Sequence, residues 1–241
     1  MFLEKFLAQF TWLDWIGLIW FLTCWLGFEQ VVERGWSGRK SLLEETHKLR
    51  LQWGRVMLTR NPRIVDVALI SNLLQSLSFY ANTSIYIIAA LFAALGALDQ
   101  LMELASDLPF ARSMSREATE IKLLILIGIF VVAYFKFTWS LRQFNLLSIT
   151  LGAVPQEGEA EELESHAQKF AAVNSCAGND FNRGLRAYYF GMAVMLWMVS
   201  PWLFILTTII IVIVLARREF YSPVLKALVD SDQRHFGPGG S

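Results

Sequence analysis

Ser71, Gln75, Ser78 and Asn82 recur at i, i+4, i+7 and i+11 inside an otherwise apolar stretch, with Asn72, Thr83 and Ser84 close by. On an α-helix this spacing puts four hydrogen-bonding side chains on one face. Amides and hydroxyls so arranged have two uses. They line an aqueous path, replacing part of a permeating ion's hydration shell, or they join helices at on the order of 1 kcal/mol per contact. Further along, Ala89, Ala93 and Ala97 repeat every four residues beside Ala90, Ala94 and Gly96. That small-residue face permits close backbone approach, including between copies of the chain.

Charge within apolar sequence is the second source of chemistry. Lys136 lies between Phe135 and Phe137, where an unpaired ammonium at a bilayer centre would cost about 2.5–3.5 kcal/mol on insertion scales. Glu29 is its expected partner, in a leaflet shared with Glu33 and Asp66, as a structural ion pair or as a gating or ion-coordinating one. Asp14, flanked by Trp12 and Trp15, reads as a solvated interfacial carboxylate. Asn182, Arg186 and Tyr189 share a helical face next to Arg183. At headgroup level an arginine there neutralises Asp66 or Glu33, binds lipid phosphate or lines a vestibule.

The motifs of common enzyme classes are missing. There is no GxSxG, GxGxxG, GxxxxGK, HExxH or CxxC, and Gly35-Trp36-Ser37-Gly38 has the wrong spacing for a nucleophile elbow. Cys24 and Cys176 form no disulfide framework, and His47, His166 and His235 are too scattered for metal-ligand spacing. No catalytic residue, metal or cofactor is expected. With 21 Lys+Arg against 21 Asp+Glu the net charge is zero, so nothing draws the chain to nucleic acid.

The elements that must position these residues follow from composition. Of 241 residues 55% are hydrophobic and only 17% charged, against about 25% charged in a soluble domain. A bilayer core about 30 Å thick needs about 20 apolar helical residues, and four stretches qualify, near 12–32, 70–98, 121–141 and 188–216. Pro201 predicts a kink in the fourth. The expected fold is an all-α polytopic membrane protein with four transmembrane helices plus cytoplasmic amphipathic helices at 38–63 and 157–186, forming one domain over 1–236. Gly237 to Ser241 reads as a tag remnant.

The segment 39–63 is basic, with Leu42, Leu49, Trp53 and Val56 at helical spacing. It suits an anionic lipid surface or a cytoplasmic continuation of the second span, and Asn61-Pro62 predicts a break between the two. Glu157, Glu159, Glu161, Glu162 and Glu164 form an acidic run that reads as a solvated face or a cation site. The positive-inside rule favours a plasma (inner) membrane protein with both termini outside. The basic tail weighs against this, and a re-entrant pair within one apolar stretch would return the tail to the cytoplasm.

Phe181-Asn182-Arg183-Gly184-Leu185-Arg186-Ala187-Tyr188-Tyr189-Phe190 is the most distinctive string. With Trp53-Gly54-Arg55-Val56-Met57 and the Arg60, Arg63-Ile64-Val65-Asp66 run, it resembles an uncharacterised integral-membrane family of bacteria and plants known as domain of unknown function 599. The resemblance covers nearly the whole chain and implies a multi-pass membrane protein, with no activity to carry over. The residues themselves suggest a homo-oligomeric ion channel or channel-like transporter for a small ion, with its polar path along the second span. A membrane scaffold or partner-binding subunit without transport is the alternative.

Overall fold

The computed structural model describes residues 10–34, 41–106, 115–155 and 158–236. The tag-like tail at 237–241 and the Gly35-Trp36-Ser37-Gly38 string lie outside them. Among the described residues the chain is all-helical, with eight helices: α1 Trp12–Arg34, α2 Leu42–Leu58, α3 Ile64–Gly96, α4 Leu98–Ser106, α5 Arg116–Gly152, α6 Ala160–Trp197, α7 Pro201–Phe220 and α8 Pro223–Phe236. Three are long and apolar enough to cross a membrane: α1 over Trp12–Val32, α3 and α5. Their outward faces carry large apolar side chains such as Ile19, Phe79, Phe92 and Phe135, all exposed. Exposed apolar surface of this kind needs lipid or protein to cover it.

Local chemistry sets the helix ends. Ser41 accepts the Glu44 N–H at 3.2 Å to begin α2, and Ser222 accepts the Leu225 N–H at 3.1 Å to begin α8. The break expected at Asn61-Pro62 falls between α2 and α3, and that peptide bond is cis. The stretch 188–216, expected to be a fourth span with a kink at Pro201, is divided instead. α6 stops at Trp197, and Pro201 opens α7 after a turn. Proline has no N–H to donate to an earlier carbonyl but fits the first position of a new helix. The segments expected as cytoplasmic helices, 38–63 and 157–186, correspond to α2 and to the first part of α6.

The chain divides into two compact units, one of residues 1–29, 80–136 and 183–213, the other of residues 30–79, 137–182 and 214 onward. The first has an aromatic core. Phe21 packs on Phe190 at 5.6 Å and Phe204 at 5.2 Å, and Trp197 stacks on Phe204 at 4.7 Å between ring centroids. Such ring pairs add about 0.5–1.5 kcal/mol each beyond buried area. Because Trp197 ends α6 and Phe204 lies in the first turn of α7, their stack holds the turn between them.

In the second unit α2 lies along α6 in the opposite sense. His47 meets Ser175 at 2.7 Å, the Trp53 ring packs edge-on to Phe170 at 5.2 Å, and Arg55 meets Glu164 at 2.7 Å. At Gly54 the backbones approach so closely that a Cβ would stand 2.8 Å from the Ala167 carbonyl oxygen. α2 also packs against α8, and its Leu43 N–H donates to Glu219 of α7 at 3.1 Å. Gly54→Ala should therefore destabilise by about 1–3 kcal/mol through overpacking, although alanine favours helix by about 1 kcal/mol. Thermal unfolding in detergent tests this, with an unchanged or raised Tm counting against the close approach.

Candidate functional site

Within the first unit a buried charge centre joins three helices. Asp14, in the first turn of α1, accepts hydrogen bonds from the Thr11 N–H at 3.0 Å and hydroxyl at 2.6 Å on Oδ2, and from Trp197 Nε1 at 2.7 Å on Oδ1. Lys122 of α5 brings its Nζ to 3.1 Å from Asp14 Oδ1. The same ammonium donates to the Trp197 carbonyl at 3.2 Å and lies 4.9 Å from the centre of the Trp197 ring. Lys122 is 1% exposed and Asp14 6%. Helix ends explain the arrangement. The first turn of α1 favours an anion, and the last carbonyl of α6 lacks an intrahelical donor and favours a cation.

Asp14 is thus buried and paired, not the solvated carboxylate expected from its tryptophan neighbours. Lys122 escaped the sequence reading because, at the beginning of an apolar stretch, a lysine ordinarily reaches interfacial water. Lys136 and Glu29, the pair expected from the sequence, are both half-buried. The buried carboxylate of this unit goes to Lys122, where the α6 carbonyl and the indole ring complete the lysine's surroundings.

In the second unit Asp66, in the first turn of α3, is fully buried. It accepts from Trp53 Nε1 at 2.7 Å and Arg60 Nη1 at 2.6 Å. Its arginine partner is therefore the sequence-local Arg60, where the sequence also allowed Arg186. Arg63 donates through Nη1 to the Val154 carbonyl at 2.9 Å and through Nη2 to that of Pro155 at 3.1 Å, capping the chain just after α5. On the exposed side, the hydrogen bond from Arg55 holds the Glu164 carboxyl below its ordinary range. Arg50 lies against Gly178, where any Cβ would collide with its guanidinium, and burial pushes its pKa down.

The polar stripe keeps to the outside of α3. Ser71, Gln75 and Asn82 are exposed, while Ser78 is half-buried with its hydroxyl on the Leu74 carbonyl at 2.8 Å. Ala89 and Ala93 are exposed on the same face, and Ala97 is partly exposed in the turn after α3. Ser84, on the opposite side, is buried, with its hydroxyl 2.8 Å from that of Tyr188. On α6 Asn182 is exposed, Arg183 and Tyr189 are half-buried and Arg186 is buried. Among the described residues no cluster of three His, Cys, Asp or Glu has metal-binding geometry.

A family model described as a protein of unknown function, DUF599, matches residues 16–224. No curated protein and no solved structure matches the chain. Three apolar helices of spanning length are compatible with a membrane protein.

The charge centre makes a direct prediction. Lys122→Met strands a buried carboxylate and should destabilise by about 3–5 kcal/mol, whereas Lys122→Met with Asp14→Asn should recover much of that. Unfolding of both variants in detergent measures the coupling, and additive losses would show that the two side chains do not act as a pair.

Proposed function

Since the chain belongs to the DUF599 family, which carries no assigned activity, we propose from its geometry that it is a homo-oligomeric membrane protein whose copies meet along α3 and enclose a polar conduction path. The observation that carries this reading is the outward stripe on a helix of spanning length. At about 100° per residue, Ser71, Gln75, Ser78, Asn82, Ala89 and Ala93 fall within about 40° of one line. The buried residues Asp66, Ile70, Leu77 and Ser84 lie well round the helix from it. Lipid offers no partner to the Gln75 and Asn82 amides, whereas α3 of a second copy or a water-filled path between copies does. In this arrangement the alanine half brings the copies together and the polar half lines the path.

The topology that fits this reading has the N-terminus outside and the tail in the cytoplasm. It rests on the turn at Met198–Ser200, after which α7 delivers Glu219 back to α2 and α8 packs on α2. With α2 cytoplasmic, Arg217, Arg218, Lys226 and Arg234 join the inner side, and Lys5, Arg112 and Arg116 are left outside. That distribution satisfies the positive-inside rule better than two outer termini do. The second reading, a scaffold that docks a partner at the membrane, draws on the exposed acidic turn Glu159, Glu161 and Glu162 where α6 begins.

Two measurements test the proposal. In proteoliposomes under separate K⁺, Na⁺, H⁺ and Cl⁻ gradients, flux should appear and fall at least about tenfold in a Gln75→Leu/Asn82→Leu variant that still assembles, the loss of on the order of 1.4 kcal/mol of path stabilisation. Cysteine placed at Ala89 or Ala93 in a Cys24→Ser/Cys176→Ser background should cross-link copies. Cross-linking without flux under any gradient favours the scaffold, and a monomer without either overturns the oligomer.

A further inference from the structure

We propose that a cavity in the second unit is a binding site for a phosphoryl group, with a membrane lipid headgroup as its expected source. The cavity has a volume of about 430 Å³ and is lined on its polar side by Arg60, Asn61, Arg63 and Ser148 and on its apolar side by Val67 and Leu151. That volume lies within the range of small-molecule sites, about 300–1,000 Å³, and the division into polar and apolar walls suits an amphiphile.

The arginines are only partly satisfied by protein. Arg60 gives Nη1 to Asp66 and remains about one-third exposed, its side chain at 36%. Among the described residues its other N–H groups meet no acceptor. Arg63 donates through Nη1 and Nη2 to two carbonyls, but its buried Nε has no partner. Asp66 offsets the charge of Arg60, and no carboxylate among the described residues offsets that of Arg63. The wall therefore carries an excess positive charge and free guanidinium donors, the chemistry that holds phosphate oxygens. α3 begins immediately after Arg63, and the N–H groups of its first turn have no intrahelical acceptors and favour an anion.

Depth agrees with a lipid. α3 has 33 residues, about 50 Å of helix, against a hydrocarbon core of about 30 Å. Its first turn therefore extends roughly 10 Å beyond that core, at headgroup level. The inference rests on the membrane placement proposed above and is independent of conduction.

Gly152 provides a probe that spares both arginines. It lines the cavity, and a Cβ built there meets nothing within 4 Å, so Gly152→Phe adds bulk at the cavity wall without a clash at Cβ. Native mass spectrometry of the detergent-purified protein, offered phosphatidylglycerol, phosphatidic acid or phosphatidylcholine, should show the anionic lipids retained about tenfold more strongly. That preference should fall about tenfold in Gly152→Phe and in Arg60→Gln, the range expected for losing a charged hydrogen bond.

Inorganic phosphate, followed by ³¹P line broadening without lipid, is the other arm. Broadening lost in the same variants, without lipid preference, would keep the site and assign it to free phosphate. Equal retention of all three lipids with no phosphate effect would overturn the proposal, as would a preference that Gly152→Phe leaves intact. If Arg60→Gln fails to fold because Asp66 is stranded, Gly152→Phe decides. Failure of the membrane placement itself would read differently, as release of the protein from membranes by alkaline carbonate.

Discussion

Lys122 is 1% exposed, and Asp14, the Trp197 carbonyl and the Trp197 ring surround its side-chain nitrogen. Desolvating a lysine and an aspartate together is costly unless every remaining donor and acceptor is matched, and here the Thr11 and indole N–H groups complete the carboxylate. The tie brings the first turn of α1, the second turn of α5 and the last residue of α6 to one point. The end of α6 thereby acquires a fixed position, and the stack of Trp197 on Phe204 launches α7 from it. A charge that lipid would reject becomes the junction of its unit.

The same rule acts in reverse on α3. Where its polar side chains face protein they find partners, Asp66 Oδ1 with Trp53 and Arg60 and Ser84 with Tyr188, although the buried Asp66 Oδ2 meets no donor among the described residues. Where they face outward, the Gln75 and Asn82 amides have no acceptor or donor from their own chain among the described residues. This difference between the two faces of a helix of spanning length underlies the oligomeric reading proposed above. The second unit shows a comparable economy, with one short segment, Arg60 to Asp66, neutralising a buried carboxylate, capping the chain after α5 and forming the wall of the cavity.

Much of the architecture was legible because helix period and apolar length are local properties. The first span, near 12–32, coincides with the apolar part of α1, and the break at Asn61-Pro62 lies where the proline rule puts it. The second and third stretches have other bounds as helices: α3 begins earlier, at Ile64, and ends at Gly96, and α5 runs beyond 121–141 into polar sequence at both ends, from Arg116 to Gly152. The stretch 188–216 misled because hydropathy sums over a turn. Ser200-Pro201 begins a helix as readily as it bends one, and only the packing of Trp197 on Phe204 distinguishes the outcomes.

The site residues divide along the same line. The sequence by itself determined that the chain is helical and rich enough in apolar residues for a membrane, and that Ser71, Gln75, Ser78 and Asn82 share a face with Ala89 and Ala93, because a face depends on spacing along one helix. It did not determine that this face points away from the chain's own core, nor that Lys122 takes the buried Asp14 carboxylate, nor that Asp66 chooses Arg60. Those were decided by tertiary structure, since an ion pair forms between whichever groups the packed helices bring within about 3 Å of each other, and residues 14, 122 and 197 become neighbours only when α1, α5 and α6 converge.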